Sequence, residues 1–171
     1  MKTYVFAVIC LVFTTTIFAQ SKIEKVKNSD YLMNVNQKDT PQRVSKLQNI
    51  VANYKIQDAE VFERKTKSTY DVIFKETNGS ITATYNTDGN IIKTVEKFRD
   101  LKLPYALAKE IFKQNPSWNL KGNSQTTSYD ETNGSVKIYS ITIQKDGVKK
   151  TLEYKMNNLQ DQTNYLVSSK K

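Results

Sequence analysis

Tight-turn dipeptides punctuate this chain and constrain its fold more than any other feature. Asn78-Gly79, Asp88-Gly89, Asn133-Gly134 and Asp146-Gly147 each place a small polar residue before glycine, and both tolerate the positive φ that a short hairpin needs. Two of the four sit inside one pentapeptide, ETNGS, which occurs at Glu76–Ser80 and again at Glu131–Ser135. The flanking segments alternate like strands. Tyr70, Val72 and Phe74 share a face while Asp71 and Lys75 point away, and Ile81, Ala83 and Tyr85 do the same after the turn. Further strands are expected over 58–65, 90–98, 118–129, 136–144 and 148–156, with a final one near 163–168. The pattern in 136–144 slips between Val136/Ile138 and Tyr139/Ile141/Ile143, which suggests a bulge or burial on both faces.

Two helices interrupt the strands. In DTPQRVSKLQNIVANY, Thr40 can accept from the first free N–H groups and Pro41 suits the first helical position. Val44, Leu47, Ile50, Val51 and Tyr54 then form one apolar stripe. The second helix starts at Pro104 and stops at Asn115-Pro116, with Leu107, Ala108, Ile111 and Phe112 on its apolar face. Helix followed by about four strands therefore reads as occurring twice. The expected fold class is α+β, a tandem repeat of a helix packed on a four-stranded antiparallel sheet, with repeats over 40–100 and 101–171. Each sheet would leave one face open.

The N-terminus, MKTYVFAVICLVFTTTIFAQSK, has the layout of a secretory signal peptide over 1–19. A positive start at Lys2 precedes an apolar run, then a small residue at Ala19. The run is shorter than the ~18 apolar residues of a spanning helix, so no transmembrane anchor is expected after cleavage. Residues 20–39 are polar and aperiodic and read as a flexible leader. Removal of the signal takes away Cys10, the chain's one cysteine, and leaves about 150 residues, enough for one domain or two small fused ones. The expected location is the periplasm or the extracellular space.

Missing residue types narrow the chemistry. The chain contains no histidine. Without histidine and a mature cysteine there is no Ser-His-Asp triad, no Cys-His nucleophile and no His/Cys zinc site. The five glycines stand singly, so no phosphate-cradling loop is present. Asp88-Gly89 and Asp146-Gly147 lack the carboxylates of a calcium loop. No cofactor and no metal is expected. Glu60/Glu63 and Asp130/Glu131 are the nearest carboxylate pairs for acid–base work. Neighbouring strand residues point to opposite faces, so an enzyme is not expected, and a carboxylate hydrolase is the remote alternative.

The formal charge is +9, carried almost entirely by lysine; only Arg43, Arg64 and Arg99 are arginine. Nucleic-acid readers favour arginine forks, and the lysines are spread along the whole chain, so no nucleic acid is expected. Aromatic residues make up 11% of the chain. Most follow the apolar alternation of a core, and a subset on an open sheet face would suit protein recognition. Trp118 and Tyr129 are the candidates for partner binding.

The stretches YDVIFKETNGSITATYNTDGNIIKTVEKF, DLKLPYALAKEIFKQNPSWNL and YSITIQKDGVKKTLEYKMN resemble the PepSY-like family of exported bacterial proteins, whose tandem units resemble the beta-lactamase inhibitor protein. Leu101–Pro104 resembles that family's leucine-proline lead-in to its second helix, and Asp88-Gly89 its aspartate-glycine turn. The tail, NNLQDQTNYLVSSKK, departs from its closing glycine turn. The resemblance implies a non-catalytic, protein-binding or inhibitor-like module that docks an envelope or secreted protein on an open sheet face. A cationic envelope binder of polyanions or other ligands is the alternative.

Overall fold

Seven antiparallel strands in simple sequence order form one continuous sheet in a computed structural model of the chain. The structure describes residues 27–63 and 66–157 and the backbone of Leu166–Lys170. The expected signal peptide lies outside the described residues. The strands are β1 (Thr69–Glu76), β2 (Gly79–Asn86), β3 (Ile91–Arg99), β4 (Asn119–Asp130), β5 (Gly134–Lys145), β6 (Val148–Asn157) and β7 (Leu166–Lys170). Three helices, α1 (Ser29–Val35), α2 (Gln42–Asn53) and α3 (Tyr105–Gln114), cover one face.

This architecture overturns the expected tandem pair of four-stranded sheets. β3 pairs directly with β4, from Lys93 opposite Asp130 to Arg99 opposite Ser124, so no sheet edge separates the two halves. The repeated pentapeptide does not even make the same turn twice. In the first copy Glu76 pairs with Gly79, and Asn78 takes the left-handed conformation at φ 62°. In the second copy Asp130 pairs with Gly134, and it is the glycine that turns left-handed, at φ 76°. The residue before the pentapeptide accounts for the difference. Lys75 continues its ladder opposite Ser80, whereas the Asp130 carboxylate accepts from the backbone N–H groups of Thr132 (3.0 Å) and Asn133 (3.2 Å) and holds a longer loop. Gly79 is needed for a different reason: a Cβ there would lie 2.3 Å from the buried ring of Phe98.

The helices sit where their apolar stripes dictate. A helix of twelve residues is marginal alone; α2 is held by burying Val44, Leu47, Val51 and Ala52, at roughly 1.5–3 kcal/mol for each large side chain. Ile50, expected in the stripe, is exposed. Thr40 does not cap the helix; its hydroxyl accepts from the Gln37 N–H (2.8 Å) within the loop before it. On α3, Leu107 and Ile111 are buried, but Phe112 is 41% exposed. Two further expectations fail. The segment read as a flexible leader contains α1, pinned by buried Tyr31 and Val35, and 56–63 holds a short 3-10 turn and irregular chain instead of a strand.

The inner face of the sheet is apolar at both ends and polar in the middle. One core gathers α1, α2 and β1–β3 around Tyr31, Val51, Ile81, Tyr85 and Phe98, with rings of Tyr54 and Phe74 meeting edge-on at 5.2 Å. The other gathers α3, β5 and β6 around Leu107, Ile111, Ile141, Ile143 and Tyr154. Between them the inward residues are Thr94 and Glu96 of β3, Gln125 and Thr127 of β4, and Ser135 and Lys137 of β5, all buried.

Candidate functional sites

The face of the sheet away from the helices carries hydroxyls and lysines. Strand pleating puts Lys93, Val95, Lys97 and Arg99 of β3 on it, because Thr94, Glu96 and Phe98 are buried on the other side. Register then extends the row across the sheet: Lys75, Ser80, Lys97, Thr126, Ile138 and Lys155 lie opposite one another from β1 to β6. Strands stand about 4.8 Å apart, so Lys75 and Lys97 are separated by roughly 10 Å. Lys75, Lys97 and Arg99 line an open groove of about 540 Å³ together with Ser80, Ser124 and Thr126, and the Glu76 carboxylate and Asn78 lie at its β1–β2 end. None of these three cations has a carboxylate within ion-pair distance among the described residues.

Two acidic groups on this face, Asp71 and Asp130, are engaged with other partners. Asp71 accepts from the Thr84 hydroxyl at 2.5 Å. Asp130 pairs with Lys93 at 3.6 Å and caps its turn, and those N–H donors hold its carboxyl below the usual range. Its neighbour Glu131 lies in the turn and donates its backbone N–H to Ile92 O. Glu60 is exposed on the irregular segment, and Glu63 accepts from the Thr66 hydroxyl at 2.6 Å. Among the described residues no group of three His, Cys, Asp or Glu side chains could hold a metal.

The two residues singled out as partner anchors are not on this face. Tyr129 is 6% exposed and points toward the helices, its ring edge-on to Tyr31 at 5.5 Å. Trp118 is partly buried against the α3 core. They lie in different cores. Tyr129 follows the phase of Gln125 and Thr127, both inward, so alternation along β4 puts it inside.

A polar cluster missed by the sequence reading fills the seam between the cores. Glu96, 0% exposed, accepts from the Tyr31 hydroxyl (2.7 Å) and from Gln48 Nε2 (2.8 Å). Burial pushes its carboxyl up to about 7, against the opposing pull of those two donors and of Lys137. Burial and the Glu96 charge push the Tyr31 hydroxyl well above its ordinary value. Lys137, 3% exposed, donates to Gln37 Oε1 at 3.1 Å, and burial pulls its amine down. The signal was present in the sequence. Anchoring the β5 phase on Tyr139, Ile141 and Ile143 puts Lys137 inside without any bulge, with Val136 and Ile138 on the outer face.

Compared with known proteins, the chain matches no family model, no curated protein and no solved structure. Its resemblance to PepSY-like exported proteins therefore rests on the sequence motifs alone. No helix among the described residues is long and apolar enough to cross a membrane.

Proposed function

We propose that this protein is an exported, non-catalytic binding module that holds an anionic polymer of the bacterial envelope against the outer face of its sheet. The observation that carries this reading is the groove of Lys75, Lys97 and Arg99, three cations against the single carboxylate of Glu76, which pairs with none of them, with Ser80, Ser124 and Thr126 between them. A sheet presents such charges from strands at fixed spacing, and the hydroxyls add short-range donors without bulk. Anions with repeating charges match that spacing, and counterion release supplies much of the affinity. The signal-like N-terminus supports export.

A second reading, docking of a secreted or envelope protein on the same face, is favoured by one observation: Ile73, Val95 and Ile138 are exposed there between the hydroxyls. Salt separates the two. Binding of a sulfated polysaccharide probe is expected to weaken linearly with the logarithm of salt concentration, and each of Lys75→Glu and Lys97→Glu to lower the slope by about one or more. Binding that persists at high salt and ignores both substitutions would favour apolar docking. No binding to polyanion at low salt would remove the charge reading.

A further inference from the structure

On the opposite face from the lysine groove, a narrow cavity of about 50 Å³ opens between the two helical layers. Its floor is the seam of the sheet, with Gln125, Lys137 and Tyr139; one wall is the loop before α2, with Thr40 and Pro41, and the other is the lead-in to α3, with Lys102 and Pro104. The Lys137 ammonium is almost wholly buried, yet among the described residues only one of its three N–H groups has a partner, the neutral Gln37 oxygen. No carboxylate stands within ion-pair distance of it among the described residues. A buried, uncompensated ammonium costs several kcal/mol unless it loses its proton or gains an anion. Glu96 acts on it only at longer range, and its own carboxyl favours the protonated form up to about neutral pH.

The mouth has a different character. A shallower concavity of about 320 Å³ shares Asp39, Pro41, Lys102 and Pro104 with the cavity and adds Leu103 and Tyr105. Tyr105 is 82% exposed at the start of α3 and lines this concavity with Pro41, Leu103 and Pro104. A charged donor at the bottom and an apolar rim at the top suit an amphipathic anion. We infer that this cleft binds a monocarboxylate with a short apolar tail, the carboxylate on Lys137 and the tail against Pro41, Leu103 and Tyr105. The volume at the floor suits one carboxylate group, and Lys102 and Asp39, which both line cavity and mouth, leave Lys137 as the net charge of the cleft. The carboxylate can come from a free small acid or from the C-terminus of a polypeptide ending in an apolar residue.

Calorimetric titration of the full chain with 3-phenylpropionate and with its amide tests this directly. The acid is expected to bind at least about tenfold more tightly than the amide, the usual scale of one charge-assisted contact. Lys137→Met, a change that replaces a buried charge by an apolar side chain of similar length, is expected to abolish that preference. Tyr105→Ala, at an exposed position that folding does not need, is expected to weaken both compounds several-fold while keeping their ratio. A short peptide with an apolar C-terminal residue, compared with its amidated form, separates the sources: tighter binding than the free acid points to a polypeptide terminus, weaker binding to a small molecule. Equal binding of acid and amide, no binding of either, or an intact preference in Lys137→Met would overturn the assignment. If Lys137→Met does not fold, the Lys137 side-chain nitrogen resonance of the wild-type chain decides the matter: a shift on adding the acid and not the amide is expected, and no shift with the acid would overturn the assignment.

Discussion

Replacing Glu96 by glutamine isolates the one group whose titration is set by the seam between the two cores. The folded chain holds the Glu96 proton more tightly than the unfolded chain, because its carboxyl is raised from 4.5 to about 7. Its contribution to stability is therefore complete below about pH 4.5 and declines as the pH rises to about 7, beyond which it levels off. At 1.36 kcal/mol per pH unit, that shift makes the folded chain about 3 kcal/mol less stable at pH 8 than at pH 4 on account of this group. The window is otherwise quiet, since a chain without histidine has no side chain whose ordinary value lies between pH 5 and 8. Lys137, whose amine burial pulls down, contributes in the opposite sense, adding stability as the pH rises from its lowered folded value toward 10.5, and it is present unchanged in both proteins, so the difference between them reports Glu96. Glutamine mimics the protonated carboxyl, offering an acceptor to Gln48 and a donor toward the Tyr31 oxygen. Urea unfolding of both proteins between pH 5 and pH 8 is expected to show wild type losing most of that energy and Glu96→Gln holding nearly level. The two should match at pH 5, with the variant ahead at pH 8. A wild-type curve that is flat or rises across this range, or a variant weaker by the same amount at every pH, would refute the reasoning.

Other substitutions follow from the same packing. Gly79→Ala is expected to destabilise by about 1–3 kcal/mol because the added carbon meets the fixed ring of Phe98; Gly147→Ala, with nothing within 4 Å but a φ of 82°, should lose about 1 kcal/mol through backbone strain alone. Thermal melting of the two variants separates the mechanisms. Asn28→Ala removes the buried amide that donates to Ala52 O (2.9 Å) and Gly89 O (3.3 Å) and accepts from Ile91 N–H (2.8 Å), and should destabilise by about 3 kcal/mol in urea titration. Tyr129→Ala empties part of the first core and should lose about 3–5 kcal/mol, while leaving the salt dependence of polyanion binding unchanged when measured on the folded fraction.

Local patterns carried much of the fold. α2, α3 and most strands follow from apolar spacing and proline, and the hairpins from their turn dipeptides. What local patterns could not carry is which strands meet. The β3–β4 pairing joins residues separated by the whole of α3, and nothing in either strand alone encodes it. Two identical copies of ETNGS suggested two identical units, yet Lys75 and Asp130 before them select different turns. α1 escaped notice because seven residues with only Tyr31 and Val35 buried give too short a period to read. Ionic residues at inward positions hid the seam, since Glu96 and Lys137 look like solvent-facing interruptions until the phase of their strands is fixed by their apolar neighbours. Tyr129 was misplaced for the complementary reason: an aromatic beside a hairpin suggested a surface anchor, while its β4 phase put it in the core. The outer-face lysines were legible as charge, and became a groove only when register brought β1 and β3 alongside each other.

The outer face of the sheet, and not its helical side, is the surface we propose to meet the anionic partner. Amide chemical shifts followed during titration with a sulfated polysaccharide measure this most directly. The account predicts that the largest changes fall on Lys75, Ser80, Lys97, Arg99 and Thr126, and that α2 and α3 stay still. Changes centred on the helices, with those five residues unmoved, would contradict it.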